Sequence, residues 1–412
     1  MSEITNTPEL RFSEFKEEWI SKYVGEYFFF KNGLNKGKEF FGSGSPIVNF
    51  TDVFNNRGLY SKTINGKVSV TEKEINQFNV AKGDVFFTRT SEVIEEIGMP
   101  SVLLDHISDC VFSGFVLRAR EFNPGIFAES FKKYMFTTYN FRKEMIKKSS
   151  MTTRALTSGT AISNMVFIFP ENINEQRKIG DFFSKLDQQI KLEEKKLELL
   201  EQQKRGYMQK IFSQELRFKD ENGNDYPKWV TQKIKELGNV YTGNTPSKKQ
   251  SVYWNSNNYI WVTPTDINNK KNVKNSEYML SDEGFKKARQ LPKNTLLITC
   301  IASIGKNAIL REEGSCNQQI NALVPNNDKN VDFLYYAFEK VSKYMKRIAG
   351  KTATQIVNKS TFENISIEVP NIEEQLKIGR FLNSFDKLIE KQVSKIELLK
   401  QRKQGLLQKM FV

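Results

Sequence analysis

The feature that most constrains this chain is an internal repeat with a period near 200 residues. One segment begins at Pro170 and reads PENINEQRKIGDFFSKLDQQI; a second begins at Pro370 and reads PNIEEQLKIGRFLNSFDKLI. From Gln176 onward the second copy follows at an offset of 199, matching Ile179 to Ile378, Gly180 to Gly379, Asp187 to Asp386, Gly206 to Gly405 and Phe212 to Phe411. Leu10-Arg11-Phe12 with Trp19 likewise recurs as Leu216-Arg217-Phe218 with Trp229. Chance does not produce a match of that length. The chain is two copies of one unit, each closing on this segment.

Both segments are helical by period. Ile179, Phe183, Leu186, Ile190, Glu193, Leu197, Leu200, Lys204, Tyr207 and Ile211 advance by fours and threes, as do Ile378, Leu382, Phe385, Ile389, Gln392, Ile396, Leu399, Lys403, Leu406 and Met410 in the second copy. This is a heptad seam without proline, flanked by Glu and Lys. Polar residues break both seams at the same places, Glu193/Gln392 and Lys204/Lys403. A shared register of breaks points to helices that pack on each other, against the alternative of two separate helices lying on globular cores. Two like units on one chain are most simply related by a pseudo-twofold axis, which favours an antiparallel pair.

The blocks before the helices, about 20–170 and 230–370, read as mixed α/β. Short β-rich runs (Asp84–Thr88, Ser113–Leu117, Leu296–Thr299, Ala322–Val324) are bounded by Gly, Pro and Asn, and helical stretches follow at Phe127–Lys148 and Val331–Ile348. The expected division is an N-terminal arm and first block over 1–172, a long helix over 173–213, a second block over 214–371 and a C-terminal long helix over 372–412.

Composition excludes several chemistries. His106 is the sole histidine, so a multi-histidine metal cage is impossible, and Cys110, Cys300 and Cys316 are too scattered for a thiolate zinc site. No metal ligand is assigned. The cysteine usage fits a reduced cytoplasm, and neither a leader-like apolar segment nor a membrane span is expected. There is no phosphate-binding Gly-rich loop with the required spacing, no dinucleotide fingerprint and no Asn/Asp-Pro-Pro-aromatic tetrapeptide. No catalytic residue is assigned, and the chain is expected not to be an enzyme by itself.

Charge points to nucleic acid. The chain carries 62 Lys and Arg against 48 Asp and Glu, a net +14; beyond Phe212 there are 32 against 21, leaving 30 against 27 before it. The loop Thr242, Asn244, Thr245, Ser247, Lys248 and Lys249 offers donors suited to phosphate. Gln318 and Gln319 carry amides that can pair with adenine, and Arg89 and Arg154 guanidiniums that can pair with guanine. The bland reading of each is a solvated lysine or a side chain bonded to its own backbone.

With two α/β blocks, each followed by a repeated heptad helix beginning Pro-x-x-x-x-Gln, the sequence resembles a type I restriction–modification specificity subunit. Trp261–Ile267, Leu296–Lys306, Cys316–Pro325 and Glu374–Gly379 carry the resemblance in the second copy. The first block departs from it at Thr88-Arg89-Thr90-Ser91-Glu92, and no Asn-Gln-Gln follows. The resemblance implies an α/β (α+β) fold with two globular DNA target recognition domains separated by a pair of long antiparallel coiled-coil helices. It adds Ser303 and Lys306 to the DNA-binding candidates. Double-stranded DNA, two modification (methyltransferase) subunits and ATP-dependent restriction subunits are the implied partners. No cofactor is implied on this chain; S-adenosylmethionine, ATP and magnesium belong to the partners. Leu192, Leu199 and Met208 are expected to offer apolar surface to partner helices. The rival readings are a bivalent DNA-binding regulator or scaffold without enzyme partners, and a self-sufficient nuclease.

Overall fold

Each repeat is assembled on the Glu-Gln pair that opens its long helix. The computed structural model describes residues 6–267, 271–349 and 356–412. The long helices are Ile173–Phe212 and Ile372–Met410. Gln176, fully buried, donates to the Pro170 carbonyl at 2.9 Å and accepts from the Ala128 amide at 2.9 Å. Gln375 does the same with the Pro370 carbonyl at 2.9 Å and the Asn330 amide at 2.8 Å. The carboxylate one residue earlier is also fully buried in both copies. Glu175 accepts from Arg11 at 2.7 and 2.8 Å and from the Trp19 indole at 3.2 Å. Glu374 accepts from Arg217 at 3.2 and 2.6 Å and from Trp229 at 3.2 Å. A buried charge is tolerable only when paired and hydrogen-bonded in this way, and its place in a helix first turn adds a favourable dipole. The Leu-Arg-Phe…Trp echo is therefore the anchor of each unit's arm.

The chain divides into two units, one of Met1–Lys195 with Ser394–Val412, the other of Lys196–Val393. The first holds a five-stranded sheet in the order Phe28–Asn32, Val116–Glu121, Val85–Thr88, Pro100–Leu103, Gly58–Leu59. All neighbours are antiparallel except the last pair. The second holds Gly238–Thr242, Ile320–Pro325, Thr295–Thr299, Asn307–Leu310 and Asn272–Val273, again with only the last pair parallel. Each unit adds a three-stranded sheet with one parallel pair: Phe41–Val48 beside Val111–Phe112 in the first, Tyr259–Val262 beside Gly314–Cys316 in the second. The blocks thus share these two sheets, and the first adds a further one of Ser150–Met151, Ala155–Leu156 and Thr90–Ser91.

The cores repeat as well. In the first unit Trp19, Phe131 and Phe411 meet edge-on and stacked at 5.5–6.5 Å between ring centres. In the second, Trp229, Phe333 and Phe212 meet at 5.8–6.1 Å. Such aromatic contacts add to the area they bury. Each unit's core is closed by the end of one long helix and the start of the other. In the first, Phe183 faces Phe411, Asp187 takes Lys403 and Glu193 takes Lys395. In the second, Lys204 takes Asp386, and Tyr207 packs on Phe381 and Phe385 at 5.1 and 5.5 Å. Numbers rise on one helix as they fall on its neighbour, so the pairing is antiparallel within each unit. Ile179, Phe183, Ile190, Leu382 and Ile396 are buried; Leu186, Leu197, Leu200, Phe385, Ile389, Leu399 and Leu406 are half-buried.

Three expectations are corrected. The stretch Phe127–Lys148 is two helices, Glu129–Met135 and Tyr139–Lys148, because the Thr138 side chain caps the second by accepting from the Phe141 amide. Ser113–Leu117 is not one strand: Ser113, Gly114 and Phe115 form a turn closed by the Val116 amide on the Ser113 carbonyl at 3.0 Å, and the strand starts at Val116. Met208 packs against the second core and is half-buried, so it offers only part of its side chain, whereas Leu192 and Leu199 are exposed.

Candidate nucleic-acid interface

In the second unit three loops leave the same end of the five-stranded sheet. Gly243 follows the strand Gly238–Thr242, and a Cβ there would lie 2.2 Å from the carbonyl oxygens of Cys316 and Asn317. Only glycine permits that approach. The loop after it is therefore pressed onto the Asn317–Gln319 turn, with the Asn244 amide on the Cys316 carbonyl at 3.0 Å. The third loop, Cys300–Lys306, is tied to the same turn by the Cys300 amide on the Gln319 carbonyl at 2.8 Å. Its knot is buried Thr299, whose hydroxyl donates to the Ser303 carbonyl and accepts from the Lys306 amide at 3.0 Å. Ala302 and Gly305 take φ of 60° and 82° to complete the turn.

The candidates of this unit divide by what already occupies them. Thr242 donates to buried Asn321 at 2.9 Å. The Asn244 amide donates to the Lys287 carbonyl at 2.9 Å and its oxygen accepts from the Arg289 amide at 2.6 Å, so it braces the loop. Gln319 accepts from Asn317 at 3.2 Å and is half-buried. Thr245 donates to Gln318 at 2.6 Å, and both are exposed. Ser247 gives its carbonyl to the Trp254 indole at 3.2 Å. Lys248 stands 5.2 Å from the Tyr278 ring centre, while Lys249 and Lys306 are exposed. Asn244 also brings in two cations that sequence reasoning missed, Lys287 and Arg289, the latter 5.3 Å from the Tyr241 ring centre. Nothing in the linear order signals them, because the 43-residue separation hides the contact.

The first unit reproduces this framework with other side chains. Gly33 approaches the Ser113 carbonyl, 2.2 Å from where its Cβ would be, and the Leu34 amide donates to the Phe112 carbonyl at 2.8 Å. Thr88 takes the part of Thr299: its hydroxyl accepts from the Met99 amide at 2.8 Å, and Gly98, at φ 63°, bonds its carbonyl. The Arg89 amide donates to the Phe115 carbonyl at 3.0 Å, as Cys300 does to Gln319. The counterpart of Asn317-Gln318-Gln319 is therefore Ser113-Gly114-Phe115. Phe115, missed at the sequence level, is 62% exposed at its tip. Arg89 is half-buried and donates to the Gly114 carbonyl at 3.4 Å. Arg154 lies on another exposed segment, facing Glu92 at 3.7 Å.

These surfaces hold donors, amides and cations, and the three cysteines of the chain are buried. Burial pushes the Cys300 thiol up to about 11 and raises Cys110 and Cys316 as well. His106 is exposed on a loop. Among the described residues no group of three or more His, Cys, Asp or Glu is placed to hold a metal ion. No helix among them is long and apolar enough to cross a membrane.

A twice-built α/β platform with paired long helices and a donor-rich loop cluster defines a two-module α/β class of protein. Residues 226–400 match the model of the type I restriction modification DNA specificity domain. A 208-residue stretch is 33% identical to the type I restriction enzyme MjaIX specificity subunit of Methanocaldococcus jannaschii, covering 49% of this chain and 48% of that protein. A 150-residue stretch is 29% identical to the HindI specificity subunit of Haemophilus influenzae, covering 35% and 32%. These matches span about half, or less, of the curated relatives' length. The crystal structure of a type I restriction–modification S subunit from M. genitalium superposes with a TM-score of 0.60 over 98% of this chain and 99% of that one, at 15% identity, a likeness of fold. Over residues 226–400 the chain is similar to the type I restriction modification DNA specificity domain, and over nearly its whole length it shares the fold of that S subunit.

Proposed function

We propose that the chain recognises a bipartite DNA sequence, each unit reading one half through its three-loop cluster, and works without catalysis of its own. The observation that carries this is the repeated cluster: the same backbone knots at Thr88 and Thr299 present Gly114-Phe115 in one unit and Gln318-Gln319 in the other. An invariant frame with exchanged tips suits readers of two different half-sites. Cations such as Lys248, Lys249 and Lys287 supply affinity through phosphate, and the tips supply sequence. The chain would assemble with modification and restriction subunits, which would bring S-adenosylmethionine, ATP and magnesium. The test is genome-wide mapping of methyl-adenine in strains carrying and lacking the chain together with its modification subunit. A two-part methylated motif that disappears with the chain is expected. DNA occupied at such sites yet never methylated would favour the regulator reading, and cutting by the purified chain with magnesium alone would favour the nuclease.

A further inference from the structure

The lysines that interrupt the seams reach beyond the helix pair. In the second unit Lys204 pairs with Asp386 on the opposing helix, and the other Asp386 oxygen accepts from the Tyr336 hydroxyl. Tyr336 belongs to the block helix Val331–Ala349 and is 2% exposed; Lys204 stands 5.3 Å from its ring centre. In the first unit Lys403 pairs with Asp187, Asp187 accepts from the Tyr134 hydroxyl at 2.7 Å, and Lys403 stands 5.6 Å from that ring. Tyr134 belongs to the block helix Glu129–Met135 and is 1% exposed. Burial holds both phenols well above their ordinary range, so each remains a donor. The supporting cations come from unrelated places. Lys271, beside the sheet, donates to the Tyr336 hydroxyl at 2.9 Å and to Asn383 at 3.1 Å. Lys133, on the block helix itself, donates at 2.9 Å to Ser184, whose oxygen lies 3.4 Å from the Tyr134 hydroxyl. The blocks differ around the triad while the triad itself stays.

A polar residue at a core seam position fixes register at a cost in stability. Here the carboxylate also binds a side chain of the block, which makes three elements depend on one group. Apolar packing alone lets a block rotate slightly on its helices, whereas hydrogen bonds to two oxygens of one carboxylate weaken steeply off axis. Orientation matters to a two-part reader, because one base pair of extra spacing moves a half-site by about 3.4 Å and about 35° around the duplex. Resting on the bipartite reading above, we propose that Lys204–Asp386–Tyr336 and Lys403–Asp187–Tyr134 are positioning triads. Each holds its recognition block at one angle on its own helix pair and so confines recognition to one half-site spacing.

The experiment uses the full chain in complex with its modification subunit. Binding is measured to duplexes carrying both half-sites at the mapped spacing and at one base pair shorter and longer. Wild type is expected to prefer one spacing. Y336F and Y134F remove one hydroxyl and keep the ring packing; each is expected to shrink that preference about tenfold, with the half-site sequences unchanged. K204M is expected to act like Y336F, and K204R, which can still pair with Asp386, to restore the preference. Thermal melts by circular dichroism accompany each variant. Variants that weaken binding to every duplex by one common factor, or that keep the wild-type preference, overturn the positioning role. A wild-type complex indifferent to spacing overturns the bipartite reading itself, an outcome visible before any variant is made.

Discussion

The turn Ser113-Gly114-Phe115 and the turn Asn317-Gln318-Gln319 share one backbone and oppose one another in chemistry. Each is closed by the same bond, Val116 to Ser113 and Ile320 to Asn317 at 3.0 and 3.2 Å. Each takes a side-chain bracket at its base, the Ser113 hydroxyl or the Asn317 amide oxygen, which accepts from the third residue's amide at 3.3 and 3.0 Å. Yet one tip is an exposed phenyl ring and the other an amide pair. The Glu-Gln joint at the start of each long helix keeps its residues and its Arg, Trp and Pro partners, and only the amide donor to Gln changes, Ala128 in one unit and Asn330 in the other. The molecule thus separates what must be constant, the seating of a block on its helix, from what must vary, the tips that face outward.

The joint offers the largest effect by which to test that separation. Removing one partner of a buried, hydrogen-bonded charge pair costs about 3–5 kcal/mol, because the other charge is left stranded. Glu374→Ala strands Arg217 and leaves the Trp229 indole without its acceptor, and Glu175→Ala does the same to Arg11 and Trp19. Equal losses of that order are expected in urea unfolding followed by tryptophan fluorescence. A cost confined to one unit breaks the claim that the two are seated alike. Glu→Gln at either position should lose less, since the amide oxygen still accepts from the indole.

How much of this was legible in the sequence follows from the range over which each interaction acts. The seams were readable because a heptad pattern is local, and their shared breaks at Lys204 and Lys403 announced a fixed register. The breaks did not announce Tyr336 and Tyr134, which join from block helices through an aspartate 182 residues away from Lys204. Glu175 stood in plain view, but its meaning depended on Arg11, 164 residues earlier. Phe115 was hidden for the opposite reason. A phenylalanine followed by Val116 and Leu117 reads as strand, and only the folded chain shows the Val116 amide turning back onto the Ser113 carbonyl. Asn244 reads as a phosphate donor because composition cannot reveal that both ends of its side chain already bond the Lys287–Arg289 backbone.

Exchange of the tips gives the next effect. A well-placed amide contact discriminates between bases by about 1–3 kcal/mol. Gln318→Ala is therefore expected to relax one position of the half-site read by the second unit, roughly tenfold or more in relative binding, and to leave the other half-site alone. Phe115→Ala should do the reverse, because its phenyl offers apolar contact in the manner of a residue reading a thymine methyl. Binding to single-substituted duplexes separates the two. If Gln318→Ala alters both half-sites, the units do not read independently, and the correspondence of the turns is one of backbone alone.

The smallest effect concerns phosphate, and it sharpens the comparison because the two units treat the lysine of the same loop differently. In the first unit Lys36, three residues after Gly33, is already engaged. It donates to Glu74 and to the Ser69 carbonyl, each at 2.8 Å, and lies 4.7 Å from the Phe40 ring centre. Its hydrogen bond, with that of Thr71, pulls the Glu74 carboxyl down to about 2. In the second unit Lys249 is exposed on the loop that follows Gly243. Neutralising a lysine that contacts phosphate lowers the slope of log affinity against log salt by about 1, uniformly across sequences. Lys249→Gln is expected to produce that change, and Lys36→Gln little, since a cation already paired with a carboxylate releases few counterions. Titrations of one duplex at several salt concentrations give both slopes. A Lys36→Gln slope that falls as far as that of Lys249→Gln would mean that DNA breaks the Lys36–Glu74 pair on binding, and that the excess charge of the second half is not what sets its hold on phosphate.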